Sequence, residues 1–117
     1  MSSISSHVLD TALGLPARKL RLRLQLLELV EGTQHWKTLV ETVTNDDGRI
    51  PSLSPDRALH PGTYRLCFDT KTYFEASKQP VFFPQVDIVV AVDGTAEQHY
   101  HVPLLLSPFG YSTYRGT

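Results

Sequence analysis

The chain has 117 residues, 41% of them hydrophobic and 20% charged, with a formal net charge of -1. That is the composition of one ordinary globular domain, residues 1–117, able to bury a core without disulfides or metal. With no basic block and no apolar run near the ~18 residues of a membrane span, neither nucleic acid nor a membrane is expected as a partner.

The opening HVLD (7–10) reads as an extended lead-in, and Gly14 and Pro16 as a turn. LRLRLQL (20–26) alternates strictly, with Leu20, Leu22, Leu24 and Leu26 on one face and Arg21, Arg23 and Gln25 on the other, which predicts a half-buried strand. A turn at Glu31-Gly32-Thr33 returns the chain into a second strand over 35–44, rich in β-branched and aromatic residues. Asn45-Asp46-Asp47-Gly48 is a dense turn cluster that delivers Arg49 near a loop tip. Pro51, Pro55, Pro61 and Gly62 mark 51–62 as a loop. TYRLCFD (63–69) alternates again, with Cys67 as a half-buried strand residue; being the sole cysteine it excludes an internal disulfide and suits a reducing compartment. Residues 70–78 form the one expected helix, with Thr70 or Thr72 as N-cap and Pro80 as its stop. Two strands follow, 86–92 and 98–106, the second broken locally at Pro103, with Asp93-Gly94 in the turn between them. The expectation is a mainly antiparallel β-sandwich of two sheets with one short α-helix.

Chemistry concentrates late in the chain. Strand alternation puts His99 and His101 opposite Tyr100, Val102, Leu104 and Leu106. Two such histidines lack a third metal ligand nearby, so no metal is expected. The tail, HVPLLLSPFGYSTYRGT, carries Tyr114 and Arg115 where chain ends usually fray, which predicts a packed terminus. Taken singly, each histidine and Arg49 also fits an ordinary surface residue. Taken together they make an acid–base and oxyanion-binding set.

Four blocks, HVLDTALGLPA (7–17), TNDDGR (44–49), FDTKTYFEASKQPVFFP (68–84) and HYHVPLLLSPFGYSTYRGT (99–117), span the chain from end to end. In them the sequence resembles the transthyretin-like 5-hydroxyisourate hydrolases of purine catabolism, in the transthyretin superfamily. The last block is the specific one, because the carrier transthyretin lacks the histidine and the Tyr-Arg-Gly ending. The resemblance implies catalytic roles for His7, Arg49 and His101, and matches Tyr114 and Thr117 to the ends of a Tyr-Arg-Gly-Ser substrate-binding motif. Thr117 departs from that motif, keeping the hydroxyl and adding a methyl. Arg18-Lys19 is a second departure, at the surface.

The implied reaction is cofactor-independent hydrolysis of a cyclic amide in 5-hydroxyisourate, giving 2-oxo-4-hydroxy-4-carboxy-5-ureidoimidazoline. His101 would act as base, with His7 orienting water or substrate; the sequence leaves these two interchangeable. Arg49 would meet the oxyanion, and Tyr114 and Thr117 would hold the planar ring. A second mechanism makes the Thr117 hydroxyl a nucleophile. The family also implies a homotetramer, a dimer of dimers with active sites at subunit interfaces. MSSISSHVLD has no secretory pattern and Arg-Gly-Thr is no Ser-Lys-Leu-type signal, so the cytoplasm is the expected compartment, with the peroxisome as the eukaryotic alternative. The competing reading is a non-catalytic small-molecule carrier of the transthyretin type.

Overall fold

The computed structural model describes residues 2–56, 58–93 and 98–117. Among these residues, nine strands and one helix follow in order: β1 Ser3–Asp10, β2 Leu15–Pro16, β3 Arg21–Val30, β4 Thr33–Val43, β5 Arg49–Ile50, β6 Gly62–Asp69, α1 Thr70–Ala76, β7 Val86–Val92, β8 His99–Ser107 and β9 Gly110–Thr113. One sheet runs β4-β3-β6-β7, antiparallel throughout. The other runs β2-β1-β8-β9, with β5 also paired to β1. The sandwich with a single short helix is therefore the architecture expected. Leu20, Leu22 and Leu24 meet Leu66, Phe68, Leu104 and Leu106 in the core, all essentially without solvent exposure.

Three details depart from the sequence expectation. The segment read as a lead-in is β1, a strand inside its sheet that pairs parallel with β8 from Ser3↔His99 to Asp10↔Leu106. Its alternation is masked because two of its core-facing positions, Ser6 and Asp10, are polar. Ser6 donates to the Val102 carbonyl (2.8 Å). Asp10, with no solvent exposure, accepts from Tyr73 Oη (2.7 Å), Gln79 Nε2 (2.9 Å) and the amides of Ala12 and Leu13 (3.0 Å each). Second, the helix cap is Asp69, whose carboxylate accepts from the Thr72 amide and hydroxyl, rather than Thr70 or Thr72. Third, β8 continues through Pro103, because β9 ends at Thr113, opposite Leu104, so the proline stands where that ladder stops.

The β3–β4 turn falls as expected, on Glu31 (φ 52°) and Gly32 (φ 78°), the two left-handed residues of a tight hairpin. Gly94, expected in the next turn, lies outside the described residues. Among the described residues, no helix is long and apolar enough to cross a membrane.

Candidate active site

Because β1 and β8 run parallel and in register, their alternation lays one polar stripe on the outer face of the sheet. Ser3 stands beside His99, Ser5 beside His101, and His7 beside Pro103. On the other side of β1, His7 pairs with Arg49. The turn that sets Arg49 is tightly specified: Asn45 Oδ1 accepts from the Asp47 amide (2.9 Å) and the Arg49 amide (3.0 Å). Gly48 sits at φ 73°, and a Cβ there would lie 2.5 Å from the Val8 carbonyl oxygen. Only glycine permits β5 to lie this close to β1.

The tail returns over the same face. After β9, the Gly116 amide donates to the His101 carbonyl (2.7 Å), and Arg115 donates to Gln98 Oε1 (2.7 Å) while its guanidinium stacks 4.7 Å from the Tyr100 ring centre. A cleft of about 310 Å³ results, lined by Ser5, Ser6, Arg49, Ile50, Pro51, His99, His101 and Thr117. That is at the small end of the range for ligand sites. Of the residues singled out from the sequence, Arg49, His101 and Thr117 line it together. His7 flanks it through Arg49, with its Nε2–H donating to the Asp47 carbonyl (3.0 Å). Tyr114 does not join them: it lines a separate groove with Ile88, Val90, Tyr100 and Arg115, on the other side of the tail.

His101 is the electrostatic centre of the cleft. Burial lowers its pKa below the ordinary histidine value, and the neighbouring charges of Arg49, His7 and His99 lower it further. The ring is thus neutral at pH 7, with a lone pair available as a base. Its Nδ1 lies 2.7 Å from Ser5 Oγ, which also lies 2.8 Å from His99 Nε2; His99 Nδ1 in turn lies 2.6 Å from Ser3 Oγ. Ser5 was not visible as a site residue from sequence, and His99 was noted there without a role. The signal was the alternation SISSH against HYH, legible only once the parallel pairing is known.

A larger depression, about 570 Å³, lies on the outer face of the other sheet, lined in part by Arg21, Arg23, Glu41, Asp69 and Cys67. Its charges are mixed and it holds no histidine. Burial, then Asp87, pushes the Cys67 thiol pKa up, and the thiol donates to Gln25 Oε1 (3.3 Å), so it is no activated nucleophile. The smaller cleft is the one in which the acid–base groups converge.

Comparison with known proteins identifies the family of the chain. The HIUase/Transthyretin family model matches residues 4–116. The mouse 5-hydroxyisourate hydrolase is 47% identical over 116 residues, covering 99% of this chain and 96% of that protein. Among solved structures, Klebsiella pneumoniae 5-hydroxyisourate hydrolase superposes with a TM-score of 0.83 at 33% identity, covering 98% of this chain and 99% of its own. Sea bream transthyretin in complex with thyroxine superposes with a TM-score of 0.87 at 29% identity, covering 97% and 94%. Hydrolase and carrier share one backbone, so the fold alone does not choose between them. By its full-length match and by its sandwich, the chain belongs to the HIUase/Transthyretin family.

Proposed function

We propose that this chain is a 5-hydroxyisourate hydrolase of urate degradation, opening the ring by adding water across a cyclic amide to give 2-oxo-4-hydroxy-4-carboxy-5-ureidoimidazoline. The observation that carries the reading is the convergence of Arg49, His101 and Thr117, from distant parts of the chain, in one cleft. A carrier needs a cavity but no neutral imidazole beside a fixed cation. Full-length relatives at 43–47% identity bear the hydrolase name.

In the proposed mechanism His101 Nε2 takes a proton from water as the water attacks the ring carbonyl; help of this kind contributes roughly 10²- to 10⁴-fold. Arg49, permanently charged, receives the developing oxyanion. The proton then passes from His101 to the departing ring nitrogen. His7, its Nε2–H engaged by the Asp47 carbonyl, presents Nδ1 as an acceptor that orients water or substrate. Thr117 holds the substrate from the tail side. Tyr114, directed into the other groove, braces the tail instead of touching substrate in its own chain's cleft. No step requires a cofactor.

We also propose a homotetramer with active sites at subunit interfaces. β7 and β9 end their sheets, and Leu13, Leu15, Phe82, Phe109 and Tyr111 are exposed, which suits edge and face association. Sedimentation analysis tests it; a monomer at micromolar concentration would refute it. The activity test generates 5-hydroxyisourate from urate with urate oxidase and follows its ultraviolet decay. The expected result is strong acceleration, lost in a folded His101→Asn variant. A decay rate equal to the spontaneous one sinks the hydrolase reading.

A further inference from the structure

The cleft contains a polar chain that the reaction scheme does not use. Ser3 Oγ, His99 Nδ1, His99 Nε2, Ser5 Oγ and His101 Nδ1 are linked by successive contacts of 2.6, 2.8 and 2.7 Å. All four residues lie on the outer face of adjacent, parallel strands, in register at Ser3↔His99 and Ser5↔His101. Ser5 is 7% exposed, so its hydroxyl has these two ring nitrogens as partners in place of bulk water.

A hydroxyl has one proton. Placed between two imidazole nitrogens, Ser5 must donate to one and accept N–H from the other. The chain therefore has two self-consistent directions. In the first, His101 Nδ1–H donates to Ser5, Ser5 donates to His99 Nε2, and His99 Nδ1–H donates to Ser3. His101 Nε2 is then an unprotonated lone pair. In the second, every bond reverses and His101 Nε2 carries the proton. Histidine tautomers are set by the bond that the second nitrogen makes. Here that bond is set by another histidine acting through a serine.

We propose that Ser5 and His99 are positioning residues for the hydrolytic base. They select the Nδ1–H form of His101, keep its Nε2 lone pair available to the cleft, and share the proton it takes from water. When Nε2 accepts that proton, Nδ1–H passes to Ser5 Oγ as the Ser5 proton passes to His99 Nε2. His99 becomes the imidazolium, and His101 is left as the Nε2–H acid that protonates the departing nitrogen. Reversal of the same shifts returns the proton from His99, so nothing is consumed. The proposal rests on His101 being the base.

The groups facing His101 are His7 from β1, Arg49 from β5, His99 from its own strand and the chain end at Thr117. Arg115 is turned away onto Tyr100. Arg49 and His7 disfavour a fixed charge on His101, and moving the charge two residues along the strand, to His99, carries it away from His7, which pairs with Pro103.

The test has a substrate-free arm and a kinetic arm. In protein labelled with nitrogen-15 at histidine, ring-nitrogen spectra above the histidine titration should show His101 in one tautomer, Nδ1–H. Ser5→Ala should convert it to a mixture, and Ser5→Thr, which keeps the hydroxyl, should restore one form. With 5-hydroxyisourate, Ser5→Ala and His99→Gln should each lower kcat about 10- to 100-fold, within the general acid–base contribution. KM should stay within about twofold, the acidic limb of the pH profile should move, and Ser5→Thr should recover most of the rate. If the His101 tautomer is the same in Ser5→Ala as in the parent, or if both variants keep the parental kcat and pH profile, the relay is overturned. Equal falls in thermal stability and rate would make these residues merely structural and overturn it too. A parent protein that does not hydrolyse 5-hydroxyisourate would fail the reaction assay alone, while the tautomer readout would still report on the chain.

Discussion

Gly116→Ala is the sharpest perturbation the tail offers. A Cβ at residue 116 would lie 2.5 Å from His101 Cδ2, 3.2 Å from Cγ and 3.3 Å from Cβ, where ordinary contact begins near 3.4 Å, so about 0.9 Å must be found. The ring has little freedom to supply it, being held at Nδ1 by Ser5 and rooted in a strand paired on both sides. Either the tail lifts or the imidazole tilts. Lifting gives up the 2.7 Å bond from the Gly116 amide to the His101 carbonyl, a loss of about 0.5–1.5 kcal/mol. For a domain of roughly 100 residues this lowers Tm by about 4–8 °C per kcal/mol. Displacing a catalytic group by about 1 Å costs on the order of 10²-fold. The expected outcome is a folded protein with Tm a few degrees lower and kcat/KM on 5-hydroxyisourate down by about two orders of magnitude. A variant with kcat/KM within threefold of the parent would refute the reasoning, since it would mean that the tail does not position His101. Activity lost in step with unfolding would refute it equally.

Thr117→Ala separates the two modes of attack: a modest loss, up to about tenfold, is expected if water is the nucleophile, and a loss of several orders of magnitude in steady-state turnover would establish the hydroxyl as the attacker. The pKa of His101 is depressed, so kcat/KM should rise with pH through a midpoint below 6.5 and then level off; a midpoint above 7 would remove His101 as the neutral base. The same depression means that the unfolded chain binds more protons than the folded one between the two pKa values, so this group favours folding above 6.5 and loses that contribution as pH falls through its folded value, measurable by denaturant titration. Asp10→Ala removes the acceptor for Tyr73, Gln79 and two amides, and at about 1–3 kcal/mol per buried orphaned donor should destabilise by at least ~2 kcal/mol in urea melts. Burial works to raise the Asp10 pKa, but these bonds outweigh it and hold it below 3.8, so that its stabilisation is present above 3.8 and fades as pH falls through the lower value. Gly48→Ala, strained at φ 73° and clashing with the Val8 carbonyl, should lower both Tm and kcat by shifting Arg49 away from β1; an unchanged Tm would contradict the close approach.

The strands visible in advance were those whose buried face is uniformly apolar. β3 shows Leu22 and Leu24, with Leu20 just before it, and β7 shows Val86, Ile88 and Val92. β1 was hidden because Ser6 and Asp10 take core positions, stabilised by partners far along the chain that no local pattern reveals. β9 was hidden because it is short, with three of its four residues exposed. The same blindness shaped the site. Arg49 was legible as the product of an Asn-Asp-Asp-Gly turn, and His101 as the polar face of an alternating strand. Ser5 carries no signal by itself; it acquires one when the parallel register sets it against His101. Tyr114 was grouped with the cleft through the terminal motif it shares with Thr117, yet the tail puts Tyr114 in one groove with Arg115 and only Thr117 in the cleft.

The parallel pairing of β1 with β8 has a consequence for how activity is acquired. Ser5 and His101 are 96 residues apart in sequence, and a parallel pair admits no hairpin shortcut between them. Loop closure of that length comes late and slowly in a folding reaction. A fragment that lacks Ser5 or the His99–His101 segment cannot assemble the His–Ser–His arrangement, and a partly folded chain with a finished β3–β4 hairpin would still lack it. Recovery of turnover during refolding therefore reports closure of the whole topology, lagging behind the formation of strand signal.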